Sequence, residues 1–408
     1  MNLLPIVSLL LGTATLVMGS GLLTVVVPVR ASIEGFHAFW IGLIGGGYYL
    51  GFVFGCLATP YLVRRAGHIR VFAALAAVAS SIALLHLLAT LPWAWILFRV
   101  GTGFCLAGIY MVIESWLNEH ASNETRGQVF SIYMVVNLSG LTLGQMLLAV
   151  PDPASFTPFV ICAMAISLSL VPVALTRTAA PVPLPATGRL TFRELYRASP
   201  LGVAGCVMVG LANGAFWAHA PVFAQGRSGN TTDIALFMTA FVIGGALVQW
   251  PLGRLSDRYD RRIIIIGGSM VAVAVAFLLF AFRGLGTTPQ MALAFCAGAA
   301  MLPLYPLCVA HANDYIVGNR FIEASGGLLM AYGIGAVVGP VMASALISGL
   351  SATALFLFTA MVHLGLASLA WYRMRQRAPV PQAERTAFVA TPTATPAMPS
   401  ALDPRAGE

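Results

Sequence analysis

Two ionisable side chains stand inside a long apolar run, where a charge is costly. Arg99 lies about two turns into the run, and Glu114 lies near its other end. A charge within a bilayer costs about 2.5 kcal/mol or more, so such groups usually face a cavity or a partner. Arg99 can be a structural cation bonded to carbonyls of a neighbouring helix. Glu114 can form an ion pair with an arginine such as Arg126, or be a protonatable group, because burial disfavours its charged form.

A later apolar run carries polar and aromatic side chains that could bind a solute. Gly214 and Pro221 can interrupt a helix there, and an interrupted helix near the midplane of a membrane frees backbone groups for a ligand. Asn213, Trp217 and His219 would then offer hydrogen bonds and an aromatic wall. Alternatively, the aromatic residues pack against other helices or lie at the lipid interface, and the amide forms a hydrogen bond between helices.

The composition of the chain indicates a membrane protein. Hydrophobic residues make up 59% of the 408 and charged residues only 9%, unlike a soluble domain. About 20 apolar residues span the hydrocarbon core as a helix, and long runs without alternation favour helices over strands. Twelve runs qualify: 3–29, 38–63, 70–90, 93–117, 128–150, 156–175, 200–224, 231–252, 263–282, 288–312, 322–348 and 352–372. We predict an all-α membrane protein with twelve transmembrane helices, the first of them retained rather than cleaved as a signal peptide.

The positions of the arginines predict the orientation in the membrane. All 22 basic residues are arginine. If both termini are cytoplasmic, Arg99 lies in a span and only Arg30, Arg227 and Arg283 lie outside, which satisfies the positive-inside rule. The net charge of +8 is therefore a topology signal, and we expect no nucleic-acid partner.

Several classes of site have no support in the sequence. The six cysteines all fall within predicted spans and form no CxxC pair, so we expect neither disulfides nor a metal site. No zinc-protease, nucleophile-elbow or phosphate-loop motif occurs. We therefore expect no enzyme activity, no cofactor and no pump driven directly by ATP. A transporter driven by a gradient fits better.

The two halves of the chain are related. Adding 195 to a first-half position pairs Tyr110 with Tyr305, Asn118 with Asn313, Glu119 with Asp314, Gly140 with Gly335 and Gly144 with Gly339. Two related six-helix halves are typical of transporters that rock around a central site. We predict one six-helix bundle over 1–175 and a second over 200–372.

Two segments fall outside the bundles. Residues 176–199 form a central cytoplasmic loop, and Thr191 and Glu194 have capping-box spacing. A short interfacial helix from Phe192 to Arg197 would follow; the alternative is a plain linker. Residues 373–408, rich in Pro, Ala and Thr from residue 379, are predicted to be a disordered cytoplasmic tail.

A charged stretch follows the eighth run and reads Gly253-Arg-Leu-Ser-Asp257-Arg258-Tyr-Asp-Arg261-Arg262. In a chain with so few charges, this cluster is expected to lie in water. The stretch resembles the loop between helices 8 and 9 of major facilitator superfamily transporters, G-x-x-x-D-R-x-G-R-R/K, with Asp260 in place of a glycine. Its first-half counterpart is degenerate: Gly55, Arg65, Gly67 and Arg70 are present, but Thr59 replaces the aspartate.

The resemblance implies two pseudo-symmetric bundles and gating by these motifs. Asp257 would lie against the helix that begins near Gly127, whose N-terminal dipole favours negative charge. Thr59 offers only a hydroxyl to the helix that begins at Phe321, so one inner latch is expected to be weaker. Close helix approach is expected at Gly47, Gly51 and Gly55 and at Gly335 and Gly339. Pro340 can kink the eleventh span. Only the resemblance adds a gating role to these positions.

Further matches add candidates for the transport site. Arg99-Val-Gly-Thr-Gly103 resembles the R-x-x-x-G signature of the fourth helix, where the arginine is linked to proton coupling or to packing. In the family, spans 1, 4, 7 and 10 line the cavity, which adds Tyr110 and Tyr305. Three side chains on the fifth and eleventh spans could reach it from the side: Asn137, Gln145 and Tyr332.

The sequence thus favours one function and leaves one alternative. Strings around Glu114 and Tyr305 look like a poorly characterised bacterial branch of the superfamily. We expect a monomeric, multi-pass inner-membrane transporter that moves a small organic solute by alternating access, coupled to protons, with membrane lipid and the solute as partners. The alternative is a sensor or scaffold that binds a ligand without flux, supported by the degenerate first motif.

Overall fold

The computed structural model describes residues 4–121, 125–175, 191–282, 284, 286–316, 321–382, 385, 386 and 388. In these residues the α-helices are α1 Leu4–Ile33, α2 Ala38–Ala66, α3 His68–Leu88, α4 Pro92–His120, α5 Arg126–Met146, α6 Thr157–Leu168, α7 Leu170–Ala174, α8 Phe192–Ala198, α9 Pro200–Ser228, α10 Thr231–Arg258, α11 Arg261–Ala281, α12 Thr287–Met301, α13 Leu304–Asn313, α14 Phe321–Gly349 and α15 Ala354–Gln376. A short 3-10 helix, Leu147–Ala149, extends α5.

Twelve helical segments are long and apolar enough to cross a membrane, as the sequence predicts. Helices α6 and α7 together make the sixth span, and α12 and α13 make the tenth. Helix α8 lies between the sixth and seventh spans and begins at the predicted capping box, in which Thr191 and Glu194 bond each other's backbone N–H groups. Residues 176–190 of the central loop lie outside the described residues.

The charged stretch at 253–262 differs from the expectation. Helix α10 continues through Arg258, and the Asp260 carboxylate caps α11 by accepting from the Arg262 N–H at 3.0 Å. Arg261 and Arg262 are each only 2% exposed. The prediction that the whole cluster lies in water is therefore wrong for these two arginines, because nearby aspartates and carbonyls satisfy their guanidinium groups. Arg254 and Arg258 are exposed.

The helix interruption also lies in a different span from the one expected. Helix α9 is continuous from Pro200 to Ser228 with Pro221 inside it, since neighbouring groups can support a proline in a membrane helix. The tenth span breaks instead between α12 and α13, at Leu302 and Pro303. Proline has no N–H to give to the preceding turn, and the break immediately precedes Tyr305.

The chain forms two compact units. The first comprises Met1–Ala186 with Ala224–Thr239, and the second comprises Thr187–Phe223 with Ala240–Glu408. In the first unit α1 packs on α4, α5 and α6, while α4 packs on α2 and α3. In the second, α11 packs on α12, α13 and α15, and α14 packs on α15.

Helix crossings at glycine repeat from one unit to the other. In the first unit, a Cβ on Gly51 of α2 would overlap the Val100 carbonyl of α4, and one on Gly103 would overlap the Tyr48 carbonyl. Small residues allow backbones to approach this closely in membranes. The second unit has the same crossing between α10 and α12, with Gly244 against Phe295 and Gly298 against Phe241.

A second pair of crossings confirms the predicted repeat. Gly140 of α5 faces the Ala14 carbonyl of α1, and Gly144 faces that of Met18. Between α14 and α9, Gly335 faces the Val207 carbonyl and Gly339 faces that of Leu211. The glycines are related by 195 positions, as the sequence predicts, and their partners by 193. Each half therefore positions its first helix by equivalent contacts between glycines and backbone carbonyls.

The described residues that follow the last predicted span have more structure than expected. Helix α15 continues to Gln376, and Arg385, Thr386 and Phe388 hydrogen-bond other parts of the second unit. The prediction of a disordered tail from residue 373 is therefore wrong for these residues. Residues 389–408 lie outside the described part of the chain.

Candidate functional site

Glu114 and Tyr133 form a buried pair between α4 and α5. The Tyr133 hydroxyl donates to Glu114 Oε1 at 3.0 Å, and the two residues are 0% and 3% exposed, respectively. A neutral tyrosine can donate to a carboxylate without fixing its charge as an arginine would. This hydrogen bond is compatible with either charge state of Glu114. The side chain of Arg126, the expected ion-pair partner, lies outside the described residues.

Three more polar residues surround this pair and complete what we call the first-unit cluster. Tyr110, one helical turn before Glu114, lies beside Ser20 of α1. Asn137 lies one turn after Tyr133 and donates its amide N–H to the Tyr133 carbonyl at 2.9 Å. The first-unit cluster thus joins α1, α4 and α5. It includes Ser20 and Tyr133, which the analysis of the sequence did not identify.

The second unit carries a related but uncharged set. Tyr305 of α13 and Tyr332 of α14 meet edge to face, with ring centroids 5.0 Å apart. Asn213 of α9 is 1% exposed, and neither polar atom of its amide finds a hydrogen-bond partner among the described residues. By the repeat, Asn213, Tyr305 and Tyr332 stand where the first unit has Ser20, Tyr110 and Asn137.

The carboxylate breaks the similarity between the two sets. The positions equivalent to Glu114 and Tyr133 are Val309 and Leu328, both buried apolar residues. The two halves thus share tyrosines and small polar groups but differ in this protonatable pair. Of these equivalent positions, only those of the first unit include a carboxylate, so a step that protonates a carboxylate here would occur in the first unit.

Arg99 is a buried cation with aromatic neighbours. It is 6% exposed, and its guanidinium carbon lies 4.6 Å from the centre of the Tyr48 ring. Among the described residues no carboxylate forms an ion pair with it, and its Nε has no hydrogen-bond partner. A cation–π contact is worth about 0.5–2 kcal/mol, less than the cost of burying a charge.

Three further candidate residues are Gln145, Trp217 and His219. Gln145 is fully buried with both amide atoms unpaired in the described structure. Trp217 packs edge to face on Phe241, with centroids 5.6 Å apart. His219 donates from Nε2 to the Pro340 carbonyl at 3.1 Å, a bond between α9 and α14. The contacts of Trp217 and His219 agree with the packing alternative.

The motif at 253–262, for which the resemblance implies gating, forms a charged network in which both Arg261 and Arg262 are buried. Arg261 donates from Nε to Asp314 Oδ2 at 2.7 Å and forms an ion pair with Asp257 at 3.3 Å. Arg262 pairs with Asp260 at 2.7 Å. Burial by itself raises the pKa of Asp260, but the hydrogen bonds and charge of Arg262 outweigh it and hold this pKa below its ordinary value.

The first-half counterpart is built differently. Gly67 has φ +83° between α2 and α3, a conformation that favours glycine. Thr59 is buried, and its hydroxyl donates to the Gly55 carbonyl of its own helix at 2.7 Å. Arg65 and Arg70 are exposed. The threonine is therefore committed to its own helix, whereas Asp257 reaches groups elsewhere in its unit.

Comparisons with known proteins agree with this architecture. The family model described as Major Facilitator Superfamily matches residues 9–232 and 204–404. The chain is 28% identical over 363 residues to an uncharacterized MFS-type transporter of Enterobacter sp. (strain 638), covering 88% of this chain and 93% of the relative. It is also 28% identical over 366 residues to the uncharacterized MFS-type transporter YcaD of Escherichia coli (strain UMN026), with the same shares covered.

Solved structures show the same fold at low identity. A mutant of the nucleoside transporter NupG superposes with a TM-score of 0.76 at 14% identity, covering 90% of this chain and 99% of that one. A bacterial homologue of the human lysosomal transporter Spinster, inward-facing and occupied, gives 0.75 at 16% identity, covering 93% and 97%.

Proposed function

Because the chain belongs to the major facilitator superfamily, we propose that it is a secondary active transporter that moves a small organic solute by alternating access. We place it in the bacterial inner membrane with both termini in the cytoplasm, as the arginine distribution favours. We further propose that transport is coupled to protons. The single observation that carries the coupling is the buried pair of Glu114 and Tyr133.

The surroundings of Glu114 favour proton coupling. A carboxylate that is 3% exposed inside a membrane span loses most of the hydration that stabilises its charge. The Tyr133 hydroxyl can donate to the ionised form and can equally accept from the protonated form. Both protonation states therefore keep a partner. A group that can gain and lose a proton without losing its hydrogen bond suits a coupled cycle.

The buried amide and the tyrosines indicate the chemical class of the solute. Leaving a buried polar group unpaired costs about 1–3 kcal/mol, and Asn213 has two such atoms. A neutral solute with both a donor and an acceptor would satisfy them, and Tyr305 and Tyr332 belong to the same set in the second unit. NupG is named as a nucleoside transporter, so nucleosides belong in the test panel beside other neutral metabolites.

A ligand screen followed by a flux assay tests the proposal. Purified protein is screened by thermal shift at about pH 5.5 and 8, where a ligand at 100 times its Kd stabilises by about 2.7 kcal/mol. Hits are then assayed by counterflow in proteoliposomes. We expect Glu114→Gln to remove the pH dependence of flux. Glu34→Gln, which alters an ion pair at the end of α1, is the matched control and should retain it.

A second candidate function is binding without flux. The observation that favours it is Thr59, whose hydroxyl is bonded to its own helix where the family pattern has a carboxylate. Thermal stabilisation by a ligand without counterflow would support this sensor or scaffold function. Counterflow of the same ligand would exclude it.

A further inference from the structure

Residues near the end of the chain bind the gating motif of their own unit. We call Arg385, Thr386 and Phe388 the tail strap. The Thr386 backbone N–H and hydroxyl both donate to Asp314 Oδ1, at 2.9 and 2.8 Å. The Thr386 carbonyl accepts from Arg261. The strap thus fills donor and acceptor positions around an ion pair that is almost fully buried.

The strap also covers the start of the motif. The Phe388 N–H donates to Asp257 Oδ1 at 3.0 Å. Its ring lies where a side chain at residue 253 would be, so that a Cβ on Gly253 would overlap it. Arg385 anchors the other end by donating to the Tyr259 carbonyl at 2.6 Å. Gly253, Asp257 and Arg261 of the motif therefore contact the strap, and so does Asp314, the ion-pair partner of Arg261.

We propose that the tail strap is a built-in ligand of the gating motif, and that it restrains the motif until it is released. This regulatory role rests on the proposed transport function; the docking itself does not. The partner is the chain's own extended segment, because backbone N–H groups match the two carboxylates and an aromatic ring matches the bare surface at Gly253. The family resemblance assigns gating to Asp257 and Arg261. While the strap is hydrogen-bonded to these two residues, they form hydrogen bonds with other partners more slowly.

Docking is tested without any substrate. Hydrogen–deuterium exchange of the full-length protein should show the Thr386 and Phe388 amides exchanging at least about tenfold more slowly than in a synthetic peptide of residues 378–408. Carbodiimide labelling should modify Asp257 only weakly. Exchange at the rate of the free peptide, or labelling of Asp257 that does not depend on the strap, would overturn the docking.

Two substitutions at one position separate the backbone contact from chain folding. Phe388→Pro removes the N–H that Asp257 accepts and should increase the labelling of Asp257. Phe388→Leu keeps the N–H and an apolar side chain and should leave labelling near that of the native chain. Asp233, in the first turn of α10, is the internal reference carboxylate. Equal labelling of Asp257 in both variants would contradict the proposal.

Restraint is tested in proteoliposomes with a ligand from the screen. We expect Phe388→Pro to raise the counterflow rate by a factor of about two or more, and Phe388→Leu to change it less. Counterflow that is unchanged or slower in Phe388→Pro, together with confirmed docking, would overturn the restraint alone. Absence of counterflow in every variant, the native chain included, would contradict the transport function and with it the restraint, while the exchange and labelling results would still stand.

Discussion

The Tyr133 hydroxyl donates to Glu114 Oε1 across 3.0 Å, and both residues are buried where α4 faces α5. The equivalent positions in the second unit hold Leu328 and Val309. A tyrosine and a glutamate in place of two aliphatic side chains reduce apolar packing in exchange for one hydrogen bond. In a membrane helix, such a replacement is a sign of function rather than of stability.

Removing the donor should weaken both stability and coupling. Tyr133→Phe keeps the ring but leaves Glu114 with one donor fewer, so we expect a loss of about 1–3 kcal/mol in stability. We also expect flux that depends on pH differently from the native protein. Thermal unfolding and counterflow at several pH values measure the two effects. Tyr196→Phe, at an exposed position on α8, is the control; an equal effect in both variants would refute a special role for Tyr133.

Replacing the buried cation should separate stability from transport. Arg99→Gln removes a charge that no described carboxylate pairs, and a buried charge without a partner is expensive. We therefore expect a Tm equal to or above that of the native protein, with transport abolished. Arg64→Gln, at an exposed position, should change neither. A large drop in Tm with transport retained would assign Arg99 to structure.

Two glycines on one helix should respond in opposite ways to alanine. At Gly339 a Cβ would overlap the Leu211 carbonyl, whereas no atom of another described element lies within 4 Å of a Cβ at Gly326. We expect Gly339→Ala to destabilise the protein by about 1–3 kcal/mol, as overpacked sites do. Gly326→Ala should be neutral or stabilise by up to about 1 kcal/mol, because alanine favours helix. Thermal unfolding of the two variants decides; similar losses would show that the crossing is not close-packed.

Asp260 should contribute stability that depends on pH. Its pKa in the folded chain is lowered, against the effect of burial, by hydrogen bonds and charge from Arg262. The unfolded value is about 3.9, so the contribution is present above that pH and is lost as the pH falls through the lower folded pKa. We expect Asp260→Asn to be less stable near pH 7, and the difference from the native protein to shrink below about pH 4.

Unfolding at a series of pH values tests this last expectation. Asp152→Asn, which alters a carboxylate in the exposed link before α6, controls for a general change in net charge. If the two variants followed the native curve in parallel over the whole range, the ion pair of Asp260 and Arg262 would not be a source of stability.

The repeat and the twelve spans could be predicted because both depend on local residue patterns. Gly140, Gly144, Gly335 and Gly339 were identified from spacing alone, and each proves to face a carbonyl of another helix. The carbonyls that these four glycines face could not be predicted, since each lies more than one hundred positions away in the sequence. Ser20 had a usable signal, because it lies 193 positions before Asn213.

Other parts of the site gave no such signal. Tyr133 lies one turn before Asn137, but nothing in its neighbours marks it as the partner of a glutamate on another helix. Arg261 and Arg262 were expected in water because arginine is rarely buried. Asp257 and Asp260 are neighbours in the sequence, but the other partners include Asp314 and backbone carbonyls of residues more than fifty positions away. A charged residue is exposed or buried according to its partners, and these are chosen in three dimensions.

The residue pattern predicts a twelve-helix membrane protein with related halves, because hydrophobic burial in a bilayer acts on whole segments of about 20 residues. Tertiary structure alone decided that Glu114 meets Tyr133, that the tenth span rather than the seventh is broken, and that Phe388 covers Gly253. These three features depend on how each helix is rotated about its axis and on where the segment after the last helix packs. Many weak packing contacts set the rotation and the position, and no short stretch of residues encodes either of them.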